Sequence, residues 1–154
     1  MVETEINIQL PNLSLSERRF RNLIEFTCER FELENALISI AVVGDEAASE
    51  VHRLFMADDK TTDVISFDLT EPDGGELNFE IIVNYEMAER TAQDSPHSSE
   101  DELLLYTLHG LLHNLGFDDT TEEAFYKMHK EEDDILEEFG VGRIFGNREF
   151  EPKG

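Results

Sequence analysis

Cysteine, tryptophan and lysine are scarce or missing in this 154-residue chain, and each gap excludes something. Cys28 is the single cysteine, so no intrachain disulfide can form, and a reducing cytoplasm is the expected compartment. No apolar run approaches the roughly 20 residues of a membrane span. Met1 to Leu10 alternates charged and apolar residues rather than opening with an apolar leader, so a cytoplasmic protein is expected. Positive charge is the largest gap. Twelve Lys and Arg stand against 36 Asp and Glu, for a formal charge of −24, and only Lys60, Lys127, Lys130 and Lys153 are lysines. A globally basic nucleic-acid binder is excluded, because its positive surface must displace counterions from phosphates. Neither DNA nor an anionic membrane is an expected partner. An acid-rich, lysine-poor surface also suits a salty interior, where ions screen self-repulsion. Apolar residues are present in quantity: 40% of the chain is hydrophobic, with eleven Phe, enough for the core of one domain spanning 1–154.

The apolar pattern predicts the elements. Ile6, Ile8 and Leu10 alternate with Glu5, Asn7 and Gln9, the period of a half-buried strand, and Pro11 ends it. Ser14 with Glu17 has the spacing of a capping box, and Phe20, Leu23, Ile24, Thr27 and Phe31 place a helix over 15–33. Ala36 to Val43 reads as a buried strand, and a helix follows from about Glu46 to Ala57. Val64 to Leu69 and Leu77 to Val83 flank the turn signal Pro72-Asp73-Gly74-Gly75, as in a hairpin. Helices are then expected from Tyr85 to about Asp94, from Ser99 to Leu115, and from Thr120 to Phe139, where Gly140 stops the last. The fold class is α/β (α+β), with about four strands in a small mixed sheet and about five helices.

The chemistry concentrates in Leu108 to Thr120, LHGLLHNLGFDDT. His109 and His113, four apart on a predicted helix, lie on one face, one turn apart, where they can share a metal ion. Leu105, Leu108, Leu112 and Leu115 form the neighbouring core stripe, so the histidines lie at its margin. Gly116 reverses the chain by adopting positive φ and carries Asp118 or Asp119 back over the pair as a third ligand. Two imidazoles and one carboxylate, with a position left for water, make a catalytic rather than a structural zinc set. A zinc peptidase of the HExxH kind needs a glutamate directly after the first histidine; Gly110 stands there, so a peptidase is not expected.

Here the chain resembles the YbeY family of metal-dependent endoribonucleases, the bacterial rRNA maturation factors. HGLLHNLGFDD, beginning at His109, stands for the family's HGxLHLxGYDH. FMADDKTTDVISFD, from Phe55 to Asp68, stands for YRxKDxPTDVLSFP. Gly75-Glu76-Leu77 and Ile81-Ile82-Val83 resemble the family's GDIVI strand, and Ala88 and Ala92 its following helix. The agreement runs from about Ile6 to Gly140. The resemblance implies a small mixed sheet with helices around it, a zinc ion on three histidines, single-strand RNA cleavage, and a role in small-subunit rRNA processing and ribosome quality control. The partners it implies are rRNA, the small ribosomal subunit and ribosomal proteins.

Two departures matter. Asp119 stands where the family has its third histidine, giving the ligand set His109, His113 and Asp119 for zinc or another divalent ion. Met56 stands where the family has an arginine, and a thioether cannot hold a phosphate. Arg53, one turn earlier, and Lys60 are the candidates to supply that charge. The expected activity is metal-dependent RNA hydrolysis. The alternatives are a ribosome- or protein-binding relative with a structural metal, and a metal hydrolase of another substrate. His52, His97 and His129 lack partners at ligand spacing and are read as surface residues, Glu131 to Asp134 as a solvated helix face, and Cys28 as a buried inert thiol.

Overall fold

The computed structural model describes residues 1–56, 62–146 and 148–150, with Met56 described through its backbone. The elements run β1 (Val2–Ile8), α1 (Glu17–Arg30), β2 (Ala36–Val43), α2 (Asp45–Met56), β3 (Val64–Asp68), β4 (Leu77–Asn84), α3 (Tyr85–Ala92), α4 (Ser99–Asn114) and α5 (Glu122–Phe139). One sheet orders its strands β1-β2-β4-β3. β1, β2 and β4 run parallel, and β3 pairs antiparallel with β4, Ile65 opposite Ile82, as the hairpin signal predicts. Four strands and five helices match the sequence reading.

Alternation along the strands divides the interior in two. Ile38, Ile40, Val42, Phe79, Ile81 and Val83 point into the large core with α1, α4 and α5. Val43, Ile65 and Ile82 point the other way, onto Ala48 and Val51 of α2. The central helix α4 is buried from Glu102 to Leu112 with one break, at His109. A helix enclosed on most sides lies against the sheet closely, and Gly110 is the point of approach: a Cβ there would meet Ile81 Cγ2 at 2.7 Å and Val64 Cγ2 at 3.1 Å. The glycine that excludes a peptidase base is thus a contact position turned to the sheet.

Helix starts differ from the sequence expectation by one or two residues. Ser16, not Ser14, caps α1, and its side chain makes no capping hydrogen bond. The capping box of α4 is Ser98 with Asp101 rather than Ser99 with Glu102. Thr121, not Thr120, caps α5 by accepting from the Ala124 N–H. Runs of adjacent Ser, Thr and acidic residues offer two registers, and burial selects between them: Glu102 goes inside, so Asp101 takes the outer capping position.

Candidate metal centre and its cavity

The motif residues are gathered by the end of α4. Gly116 has φ +106°, its N–H reaches the His113 carbonyl at 3.1 Å, and the Phe117 N–H reaches the Leu112 carbonyl at 3.1 Å. This double closure satisfies the last helical carbonyls and turns the chain back. The two aspartates that follow then diverge. Asp118 is exposed and folds onto its own turn, accepting from the Thr120 N–H at 3.1 Å and the Thr120 hydroxyl at 2.7 Å. Asp119 returns over α4, its Oδ2 lying 3.5 Å from His109 Nε2. His113, one turn beyond His109, is exposed.

Behind His109 lies a group that the sequence reading missed. Glu132 of α5 is wholly buried; it accepts from His109 Nδ1 at 2.6 Å through Oε2 and meets His129 Nδ1 through Oε1. The two imidazoles stack with centroids 5.4 Å apart and planes 12° from parallel. His129 is therefore not a surface residue, and Glu132 and Asp133 are not a solvated face. Asp133 is also buried and accepts from the N–H groups of Phe145 (3.0 Å) and Gly146 (3.1 Å). The signal was available: Glu132 falls on the same α5 stripe as Phe125, Met128, Ile135 and Leu136. His97 is likewise partnered, its Nε2 2.7 Å from Glu102 Oε1, while Cys28 is the buried thiol expected, its pKa pushed up to about 11 by burial.

The electrostatics of the centre follow from its burial. Removing the His109 imidazole from water works against its positive charge, but hydrogen bonds to Asp119 and Glu132 outweigh this and lift its pKa to about 10. Glu132 is shifted the other way: burial opposes its charge, and the two imidazoles restore and deepen it below the usual carboxyl range. His109, His129 and Glu132 offer donor atoms within 4.8 Å of one another. Two imidazoles and a carboxylate at that spacing, flanked by Asp119, fit a divalent ion. Glu132 can also hold the proton of Nδ1 and so leave His109 Nε2, on the Asp119 side, as the ligating atom, the carboxylate–imidazole arrangement common behind metal ligands.

These residues open into a cavity of about 750 Å³, lined also by Asp63, Tyr106, Phe125, Phe145, Arg148 and Phe150. Asp63 caps its strand by accepting from the Val64 N–H at 2.8 Å. Of the two cations nominated from sequence, Arg53 is not brought here. Arg53 sits on the exposed end of α2 and pairs with Glu50 at 2.6 Å, outside the cavity lining. Lys60 lies outside the described residues. Among the described residues no helix is long and apolar enough to cross a membrane.

Comparison with known proteins identifies the family. The profile of the family described as Endoribonuclease YbeY matches residues 3–140. A Bacillus mycoides protein named Endoribonuclease YbeY is 34% identical over 134 residues, covering 80% of this chain and 86% of its own; one from Bacillus pumilus is 32% identical over 133 residues, covering 79% and 84%. The solution structure of a Thermotoga maritima protein superposes with a TM-score of 0.57 and 26% identity, covering 90% of this chain and 91% of that one. Sheet order, motif and matched span converge: the chain belongs to the YbeY family of endoribonucleases, hydrolases of RNA phosphodiester bonds.

Proposed function

We propose that this chain is a metal-dependent endoribonuclease that cleaves single-stranded rRNA during maturation of the small ribosomal subunit, acting in the cytoplasm. The observation that carries the reading is the approach of Asp119 to His109 Nε2, with Glu132 on Nδ1 of the same ring. In this reading His109, His113 and Asp119 hold a zinc ion. Glu132 fixes the orientation of the His109 ring, and His129 shares that carboxylate. A zinc ion held there supplies Lewis-acid chemistry, polarising a phosphoryl oxygen or acidifying a water. The chain's own side chains do the rest. The carboxylates of Asp119 and Glu132 keep His109 in register, and the aromatic walls of the cavity limit water. A second reading, favoured by the 4.8 Å grouping, brings His129 and Glu132 themselves into the ligand set in place of His113.

The test is hydrolysis of a single-stranded rRNA fragment by zinc-loaded protein beside His113→Ala and His129→Ala. Loss in His113→Ala alone supports the first set, and loss in His129→Ala alone supports the second. Equal rates in all three overturn both. Co-sedimentation with small ribosomal subunits tests the ribosomal partner.

A further inference from the structure

The cavity continues past Glu132 to a wall built by the C-terminal segment, which the chemistry above does not use. Arg148 is the one Lys or Arg lining the cavity among the described residues. Its Nη1 and Nη2 donate to the Glu102 carboxylate at 3.1 and 2.9 Å, and Glu102 is itself 0% exposed. The guanidinium carbon lies 5.4 Å from the centre of the Phe145 ring. A guanidinium carries five N–H donors in a plane, so two go to Glu102 and three remain, their directions set by the grip. An arginine already ordered loses little freedom on taking an anion.

Aromatic rings continue the wall. Phe145 and Phe150 stand edge-on to Phe125 at 5.5 and 5.4 Å; one face of Phe145 is taken by His129, stacked with centroids 3.5 Å apart, while Phe150 is half-buried on the cavity wall. An oriented cation beside a half-buried aromatic ring such as Phe150 is the combination that grips single-stranded nucleic acid, phosphate on the cation and a base on the ring. The charge of −24 makes a bare anion a poor ligand here, but a strand that brings stacking surface with its charge is held by both. We propose that Arg148 and Phe150, with Phe125 behind, form a subsite for single-stranded RNA beside the metal centre, Arg148 taking a backbone phosphate and Phe150 stacking a base. The proposal rests on the RNA reading above.

The experiment is equilibrium binding, by fluorescence anisotropy, of a 2′-O-methyl single strand of about ten nucleotides, confirmed intact afterwards, to zinc-loaded and EDTA-treated protein. Phe150→Ala is expected to weaken binding roughly 5- to 150-fold, the range for loss of one stacked base. Arg148→Gln should lower the slope of log affinity against log salt by about 0.7, one phosphate contact on a single strand. Thermal melts confirm the fold; if Arg148→Gln melts early, Phe150→Ala alone decides. Wild-type binding by well-folded variants overturns the proposal, as does a wild type that prefers an acidic peptide or a duplex to the single strand. If wild type cleaves RNA while both variants bind normally, the subsite falls and the endonuclease reading stands. If wild type neither binds nor cleaves, both fall.

Discussion

Glu132→Gln preserves the size of a wholly buried side chain and removes its charge. In the metal-free protein that carboxylate holds the rings of His109 and His129. Raising the His109 pKa from 6.5 to about 10 against the cost of burial is equivalent to roughly 5 kcal/mol, at about 1.36 kcal/mol per pH unit. Asp119 remains in the variant, so only part of this is lost. Breaking a buried charge pair from one side costs about 3–5 kcal/mol, and the amide recovers about 1 kcal/mol through one neutral hydrogen bond. The expected loss of stability is about 2–4 kcal/mol. Its pH dependence has a defined sign. The His109 pKa is raised in the folded state, so its contribution is complete below about 6.5 and disappears as pH rises toward about 10. The Glu132 pKa is lowered, so its contribution is present above the ordinary carboxyl range, about 4.5, and disappears on acidification. The gap between wild type and variant is therefore widest near pH 5–6 and narrows by about pH 9.5. Urea unfolding in EDTA at both ends measures it. A gap below about 1 kcal/mol at pH 6, or an equal gap at pH 9.5, refutes the assignment of Glu132 as a partner that, with Asp119, holds the charge on His109.

A divalent ion that takes His109 must displace its proton, so calorimetry near pH 7.5 in buffers of different ionisation enthalpy should report about one proton released per ion; a buffer-independent enthalpy contradicts this. Asp119→Ala should weaken zinc binding at least about tenfold while Asp118→Ala changes it less than about twofold, because Asp118 is committed to Thr120; equal losses would reverse the assignment. Gly110→Val should cost about 2 kcal/mol or more by overpacking against Ile81 and Val64, and an unchanged melting temperature would show that α4 can move off the sheet.

Most of the fold was legible because strands and helices repeat at different periods. β1 and β4 alternate visibly, and the Pro72–Gly75 turn signal stands between β3 and β4. Local spacing made the approach of Asp119 to His109 visible, since a helical turn and a helix-ending glycine place side chains from local rules alone. Long-range pairing was not visible. Glu132 meets His109 from a helix 23 residues away, and Arg148 meets Glu102 across 46 residues, so each required knowing how α4 is covered. The acidic run of α5 hid two buried carboxylates because composition suggested a wet face, whereas phase relative to Met128 and Ile135 put Glu132 inside. Arg53 failed as a site cation for a related reason: α2 lies over the far face of the sheet, on the smaller cluster.

The near-complete enclosure of α4 gives the two sides of the cavity unequal permanence. Amides along α4 can exchange with solvent only when the surrounding core opens, so the element that carries His109 belongs to the most protected part of the molecule. Phe145, Gly146, Arg148 and Phe150 are tied down by the two hydrogen bonds to Asp133, the fork on Glu102 and a ring cluster. Detaching them costs a handful of contacts rather than the stability of the domain. Hydrogen exchange at those residues is therefore set by local opening, and the cavity can exchange its contents sideways while α4 stays fixed.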